Sequence, residues 1–365
     1  MVVLMSIYIH IPFCRCICTY CDFCKIIYDK KYIDSYLMNL KLEIENRYRG
    51  ELVSTIYIGG GTPNCLSDDE LEVLFDIIGM FNLSSEYEFT FECNIESISD
   101  NKLKIMKKYG VNRVSIGVQS FDSDVIRLLG RSHTRDEVFD KVKLVYKYFD
   151  NINIDLIYAA YDDIDILKRD IDCLLSLDVK HISTYSLMIE DNTILKINGT
   201  LNIDEDLDYQ MYKYIESILE DNGYIHYEIS NYAKDGYMSK HNLVYWNNCE
   251  YYGFGLSSTS YIANERIVNT KNLRKYLDGI YEDSRQYEDR NICMENEIML
   301  GLRKLEGINL NTFKSKFGKE LTEVYDIGDL VMDNYLIMDN GYLKINREYI
   351  YISNEIMLKI FDSVV

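Results

Sequence analysis

Cys14, Cys18 and Cys21 stand in a C-x3-C-x2-C spacing inside the segment Tyr8-Ile-His-Ile-Pro-Phe-Cys-Arg-Cys-Ile-Cys-Thr-Tyr-Cys-Asp-Phe-Cys24. Thiolates are the soft ligands that iron–sulfur centres require, and three of them this close together can close one loop around a single cluster. A [4Fe-4S] cluster held that way keeps one iron without a protein ligand, open to a small chelating molecule. A structural zinc site wants four ligands, usually in two separated pairs, and no further C-x2-C pair follows this loop. A secreted disulfide framework spreads many cysteines over a short chain, whereas here five of the ten cysteines crowd between Cys14 and Cys24 of 365 residues. Cys16 and Cys24 are left over, either as incidental thiols or as a fourth ligand or redox group.

Such a loop needs a scaffold, and the rest of the chain describes one. Short apolar runs alternate with amphipathic helical stretches, the pattern of stacked βα units around a parallel sheet. Strands are expected at Ile7–Ile9, Thr55–Ile58, Glu88–Cys93, Arg113–Val118, Ile152–Ile157 and His181–Leu187. A helix is expected from Asp204 to Glu220, where Leu207, Met211, Ile215 and Leu219 recur every four residues on one face. Six strands of this kind suit a partial (β/α)6 barrel, an α/β fold whose site lies at the carboxyl ends of the strands.

Polar residues and glycines stand near those ends. The second strand runs into Gly59-Gly60-Gly61-Thr62-Pro63, where missing Cβ atoms let backbone approach a ligand, or simply make a tight turn. Glu92 lies on the third strand, and Gln119 and Asp155 are expected to end the fourth and fifth. Arg131 adds a planar cation suited to a carboxylate. Each alone could be a cap; together, behind a cysteine loop, they outline a site.

These blocks, with Ser115-Ile-Gly-Val-Gln-Ser-Phe-Asp122, Leu129-Gly-Arg-Ser-His133, Asp155-Leu-Ile-Tyr158 and His181-Ile-Ser-Thr-Tyr-Ser-Leu187, occur in an order that resembles the HemN and HemW group of radical S-adenosylmethionine (SAM) proteins over nearly the whole chain. The resemblance implies that Cys14, Cys18 and Cys21 hold a [4Fe-4S] cluster whose fourth iron is chelated by SAM. It likewise implies that Tyr8, Gly60, Gly61, Thr62, Glu92, Gln119, Arg131 and Asp155 contact SAM, with Tyr20 packed beside the cluster near the adenine. An electron from the reduced cluster, delivered by a flavodoxin- or ferredoxin-type donor, would cleave SAM to a 5′-deoxyadenosyl radical.

The group has two branches, an enzyme and a chaperone. Oxygen-independent coproporphyrinogen III oxidases typically carry a fourth cysteine two residues after the triad and decarboxylate two propionates of a porphyrinogen. This chain has Phe23 there, and only seven residues precede Tyr8. HemW-type heme chaperones typically read Cys-Asp-Phe, as Cys21-Asp-Phe23 does, and carry His-Asn-x-x-Tyr-Trp, matched by His241-Asn-Leu-Val-Tyr-Trp246. Both features favour the chaperone branch, which binds heme and passes it to an apo-hemoprotein. An imidazole can ligate heme iron and aromatic rings can stack on a porphyrin, although one histidine beside aromatic residues is more often a packed structural residue. By the resemblance His241, flanked by Tyr245 and Trp246, is the expected axial ligand. The chain departs from the group at Ala159-Ala-Tyr-Asp-Asp-Ile164, where Gly-Leu-Pro-Gly-Gln-Thr is usual, and at Leu256-Ser-Ser-Thr-Ser-Tyr261, where a histidine is common.

Composition narrows the classes further. A 47% apolar chain of this length can bury a large core, and residues 1–284 are expected to form the barrel and its extension. Residues 285–365 resemble the group's small helical, winged-helix-like C-terminal domain, expected to cover the barrel mouth, with Asp339-Asn340-Gly341 as a hairpin turn. A net charge of −20 and a pI of about 4.7 argue against an extended nucleic-acid-binding face and so against RNA modification. With no basic leader and no 18-residue apolar run, a cytoplasmic protein without a membrane span is expected.

Overall fold

Along β1 (Leu4–Ile11), Ile7, Ile9 and Ile11 are wholly buried while Ser6, Tyr8 and His10 fall on the opposite face, because a strand sends successive side chains to alternate sides. The computed structural model describes residues 4–199 and 204–364, and this alternation organises most of it. After β1 come two short strands in the cysteine loop, β2 (Phe13–Cys14) and β3 (Ile26–Ile27), then β4 (Leu52–Gly60), β5 (Asn82–Asn94), β6 (Arg113–Gln119), β7 (Asn151–Tyr158) and β8 (His181–Ser186). Between them lie α1 (Lys30–Arg47), α2 (Asp68–Ile78), α3 (Asp100–Lys108), α4 (Ser123–Leu128), α5 (Arg135–Val145) and α6 (Ile164–Ser176).

β1 and β4 through β8 pair in parallel in that order. Their apolar faces, with Ile56, Ile58, Phe89, Phe91, Val114, Ile116, Ile152 and Ile154, form one core. The other face is polar and linked from strand to strand. Thr55 Oγ1 meets Ser6 Oγ at 2.8 Å, the Tyr57 hydroxyl donates to Glu92 Oε1 at 2.7 Å, and Asn153 Nδ2 donates to Ser115 Oγ at 2.8 Å. Buried polar groups are tolerated only when bonded in this way. The six strands thus make an arc around a polar lumen, as a partial (β/α)6 radical SAM barrel requires.

The arc is extended on both sides. Beyond β8, α7 (Ile194–Asn198) and α8 (Glu205–Asp221) precede β9 (Ile225–Glu228) and β10 (Asn231–Ala233), which continue the sheet antiparallel. Then α9 (Lys240–Trp246) leads to β11 (Tyr251–Phe254), which returns to pair in parallel with β1. β12 (Thr259–Ile262), β13 (Glu265–Asn269), α10 (Leu273–Leu277) and β14 (Glu282–Tyr287) follow, and β14 ends the twelve-stranded sheet at that edge. β14 crosses the residue 284/285 boundary.

The expected strands all form, most of them longer than their apolar runs. β7 continues three residues past Asp155, so that carboxylate stands inside the strand, on the lumen face, and does not end it as expected. The helix expected from Asp204 is α8, with Asp204 as its cap accepting from Leu207 N at 2.9 Å and Met211, Ile215 and Leu219 buried.

The C-terminal part comprises α11 (Arg290–Gly301), β15 (Ile308–Asn309), α12 (Leu310–Phe317), α13 (Gly328–Met332), β16 (Leu336–Asp339), β17 (Tyr342–Ile345) and α14 (Ser353–Phe361). β16 and β17 form the expected hairpin, turning at Asn340 and Gly341, both with positive φ. This winged-helix-like unit docks on the side of α8 and α9: Tyr351 donates to Asp208 at 2.9 Å, Arg347 Nε to Glu216 at 3.0 Å, and Lys304 Nζ to Asn247 at 2.6 Å. The expectation that it covers the barrel mouth is therefore corrected. The cavity at the mouth is lined only by residues up to Glu190.

Candidate functional site

The cysteine loop leaves β1 at Pro12 and is tied to the strand ends around it. Gly61 N donates to Ile11 O and Thr62 N to Phe13 O, each at 2.8 Å, and Thr19 N donates to Leu129 O at 3.1 Å. Cys14, Cys18 and Cys21 are free thiols at this mouth, and all three line one cavity of about 520 Å³, as does the exposed Cys16. Thr62 Oγ1 donates to Cys14 Sγ at 3.4 Å and Arg131 Nη1 reaches Cys18 Sγ at 3.8 Å. Burial pushes the Cys14 thiol up to about 11, partly opposed by the Thr62 hydroxyl. A bare thiolate is costly there until a metal takes the proton's place. Among the described residues no three His, Cys, Asp or Glu side chains converge as one ion would need, and a [4Fe-4S] cluster does not ask for that, since each thiolate takes a different iron. Soft donors, sulfur-directed hydrogen bonds and an adjoining cavity fit a cluster with one open iron.

The cavity runs from the loop into the lumen. Tyr20, Gly60, Gly61, Thr62, Glu92, Gln119, Arg131 and Asp155 all line it. Glu92 accepts from Tyr57 at 2.7 Å and from Gly60 N at 3.2 Å; burial, with Asp155 adding repulsion, pushes its carboxyl up to about 7. Burial also raises Asp155, which accepts from Asn153 at 2.8 Å. Two carboxylates in one pocket attract a cationic ligand such as a sulfonium or ammonium group. Arg131 is pinned by Asn94 Oδ1 at 3.0 Å and Gly117 O at 2.6 Å, and Gln119 holds a positive φ of 71° where β6 leaves the sheet, a strained geometry that gathers at ligand sites.

The glycines line the cavity but are glycines for another reason. A Cβ on Gly60 would lie 2.6 Å from the His10 ring at a backbone φ of +112°, and one on Gly61 would lie 2.7 Å from the Pro12 backbone. Neighbouring protein, before any cofactor, excludes side chains at both positions.

Two expected residues lie elsewhere. Tyr8 is absent from this cavity's lining; its ring stacks on Tyr57 at 6.2 Å and its hydroxyl meets His10 Nδ1 at 3.1 Å. His241 sits on α9, which plugs the lumen from the opposite end: Glu88 accepts from Lys240 N and His241 N at 3.0 Å each. The His241 imidazole is 1% exposed, with Nδ1 against Thr55 Oγ1 and Nε2 against the Tyr245 hydroxyl, both at 2.8 Å. Burial holds it neutral, its pKa lowered to about 3. The axial heme ligand expected at His241 is corrected: both ring nitrogens are engaged inside the barrel. Tyr57, Ser115 and Tyr185 line the cavity without having been singled out; their signal was the polar side of the strand alternation. The unusual loop after β7 packs against α4, α6 and α8, through Val125, Ile166 and Met211, leaving a void of only about 20 Å³.

Known proteins agree with this architecture. Residues 8–169 match the radical SAM superfamily, and residues 291–352 match the HemN C-terminal domain. The chain is 37% identical to the heme chaperone HemW of Lactococcus lactis subsp. lactis (strain IL1403), covering 97% of this chain and 96% of that one. It is 39% identical to the heme chaperone HemW of Bacillus subtilis (strain 168), over 88% and 89%. The chain belongs to the HemW family of radical SAM proteins. Among solved structures it superposes on coproporphyrinogen III oxidase from Escherichia coli with a TM-score of 0.85 and 20% identity, covering 98% of this chain and 90% of the oxidase. That likeness is one of fold. Family membership brings with it the [4Fe-4S] cluster and SAM as cofactors. No helix among the described residues is long and apolar enough to cross a membrane.

Proposed function

We propose that the protein is a heme chaperone, a radical SAM scaffold that binds heme and hands it to an apo-hemoprotein. The observation that carries this is the near-full-length similarity, at 37% identity, to a protein named for that task. Position 23 supports it: where the oxidase branch places a fourth cysteine, Phe23 stands with 66% of its surface exposed. In this reading Cys14, Cys18 and Cys21 hold the cluster, and Glu92, Asp155, Gln119, Arg131, Thr62 and Tyr20 surround SAM. When both are bound, cluster and SAM supply one-electron cleavage of the cofactor's S–C5′ bond. The chain's own part is to orient: Tyr57 fixes the Glu92 carboxylate, Asn153 fixes Asp155, and Thr62 and Arg131 donate to the Cys14 and Cys18 sulfurs that would hold the cluster. A flavodoxin- or ferredoxin-type protein is the proposed reductant, and residues 1–284 and 285–365 are the proposed functional units.

Anaerobic reconstitution followed by parallel assays tests the reading. Heme binding with a Soret band, and no conversion of coproporphyrinogen III, is the expected result. Failure to bind heme, with coproporphyrinogen III converted and SAM consumed, would replace the chaperone with the oxidase.

A further inference from the structure

A second cavity, of about 450 Å³, lies across the cysteine loop from the first, and Asp22 and Phe23 stand in the wall between them. The cluster and SAM readings do not use it. Tyr8, Tyr245, Tyr251, Cys24 and Lys271 line it together with the hydroxyl residues from Ser257 to Thr259. Tyr245 and Tyr251 meet edge to face with centroids 4.6 Å apart and planes at 79°, so they offer aromatic surface in two directions. Lys271 is exposed at the rim.

The groups able to bind iron here can be sorted by what they already do. His10 has Nδ1 against the Tyr8 hydroxyl at 3.1 Å and Nε2 against Cys24 O at 2.9 Å, so both of its nitrogens are taken. The Tyr245 hydroxyl is held by His241 at 2.8 Å. Cys24 Sγ is different. Its hydrogen-bond contact is with Lys271 O at 4.0 Å, the outer limit of such a contact, the Ser257 hydroxyl also favours its thiolate, and the side chain is only half-buried. It is the soft ligand in the cavity, held only by these weak contacts, and it is not one of the three cysteines assigned to the cluster. Aromatic walls, one free thiol and a rim cation together suit a flat apolar ligand that carries a metal at its centre and a carboxylate at its edge.

We propose that heme binds in this second cavity, packed on Tyr245 and Tyr251, with Cys24 as the axial ligand to iron and a propionate at Lys271. The inference rests on the heme-chaperone reading and supplies the site that His241 does not. Binding forms an iron–sulfur bond as the Cys24 thiol gives its proton to solvent; no electron moves and no other bond breaks. An open cavity with a half-buried ligand also suits a cargo that must leave again, since a fully enclosed heme would depart only with local unfolding.

The test uses the full chain with its cluster reconstituted, titrated anaerobically with hemin, then reduced and exposed to carbon monoxide. Wild type should show the red-shifted ferrous–CO Soret band of thiolate-ligated heme. Cys24→Ser should lose that signature and keep its cluster absorbance, while Cys16→Ser retains both. Two other variants in the lining serve if Cys24→Ser folds poorly. Lys271→Glu should weaken heme binding about two- to fivefold, and Tyr251→Ala about tenfold. If wild type binds heme but the spectra of Cys24→Ser and the affinities of Lys271→Glu and Tyr251→Ala are unchanged, the heme lies elsewhere and this placement is overturned, with the chaperone reading intact. If wild type binds no heme at all, the chaperone reading and the placement fall together.

Discussion

Thiols and carboxylates divide the labour at the mouth of the barrel, and each group makes its own prediction. Cys14, Cys18 and Cys21 share one cavity. Cys16 lines it too, but the C-x3-C-x2-C spacing leaves it outside the ligand set. Replacing any of the three with Ala should abolish the broad thiolate-to-iron absorbance of the reconstituted cluster, whereas Cys16→Ala and Cys24→Ala retain it. Loss of the cluster in Cys24→Ala would move that residue from the heme site to the cluster. Glu92 titrates at about 7 because burial, then Asp155, disfavours its charge, while Tyr57, Gly60 N and Arg113 favour it. SAM affinity should thus fall as pH drops from about 8 to about 6, and Glu92→Gln should bind weakly and with a flatter profile, as read by anaerobic equilibrium dialysis. The stability effect has the opposite sense. A carboxyl raised from 4.5 to about 7 costs nothing below its unfolded pKa and costs most once pH has risen through its folded value. Glu92→Gln without cofactor should consequently be more stable above neutrality, by at most ~3 kcal/mol, and a melt showing no gain would mean the carboxylate is better solvated than its burial implies.

Elements show what their residues alone could not. The six parallel strands were legible as apolar runs because one face of each packs on helices, but the same runs hid the lumen: Ser115, Tyr57 and Tyr185 read as ordinary strand residues until Glu92 and Asn153 turn out to bond across to the first two. Glycines illustrate the converse. Gly60 and Gly61 were legible as special positions, while the reason, a clash with His10 and with the Pro12 backbone, depends on β1 lying beside β4. Gly61→Ala should accordingly push the strand that delivers Cys14, lowering iron content per chain and costing about 1–3 kcal/mol, although no ligand is touched. Full iron loading in that variant would show that the loop gives way freely. His241 was ambiguous in the sequence because a histidine beside aromatic residues looks the same in a core as in a pocket. On α9 it is a plug, bonded to Thr55 and Tyr245. His241→Ala should lose about 2–4 kcal/mol in denaturant unfolding and leave the heme Soret band where it is; a shifted band would restore the ligand role.

Across the whole molecule, the C-terminal unit shares the barrel's apolar core and is tied to α8 by ion pairs away from the cavity at the mouth. Arg347 binds Glu216 and Glu220 of α8, Tyr351 binds Asp208 on the same helix, and Lys316 binds Glu297 within the C-terminal unit. Burial would raise the Glu216 carboxyl, but the approach of His226, Lys213 and Arg347 outweighs it and holds the group at about 2. Its stabilising effect is hence fully present above the ordinary value of 4.5 and is lost as pH falls from there toward about 2. Such an anchor is worth attention in a chain of net charge −20, where added negative charge has little to neutralise it. Arg347→Glu turns the anchor into a cluster of carboxylates and should lower unfolding stability by on the order of 1 kcal/mol, with a larger deficit at low than at high salt, since like charges repel less when screened. Because none of these groups lines the mouth cavity, the same variant should assemble its cluster and bind SAM as wild type does. A loss of SAM binding in step with the loss of stability would show that the C-terminal unit shapes the site it does not touch, and that barrel and anchor work as one cooperative body.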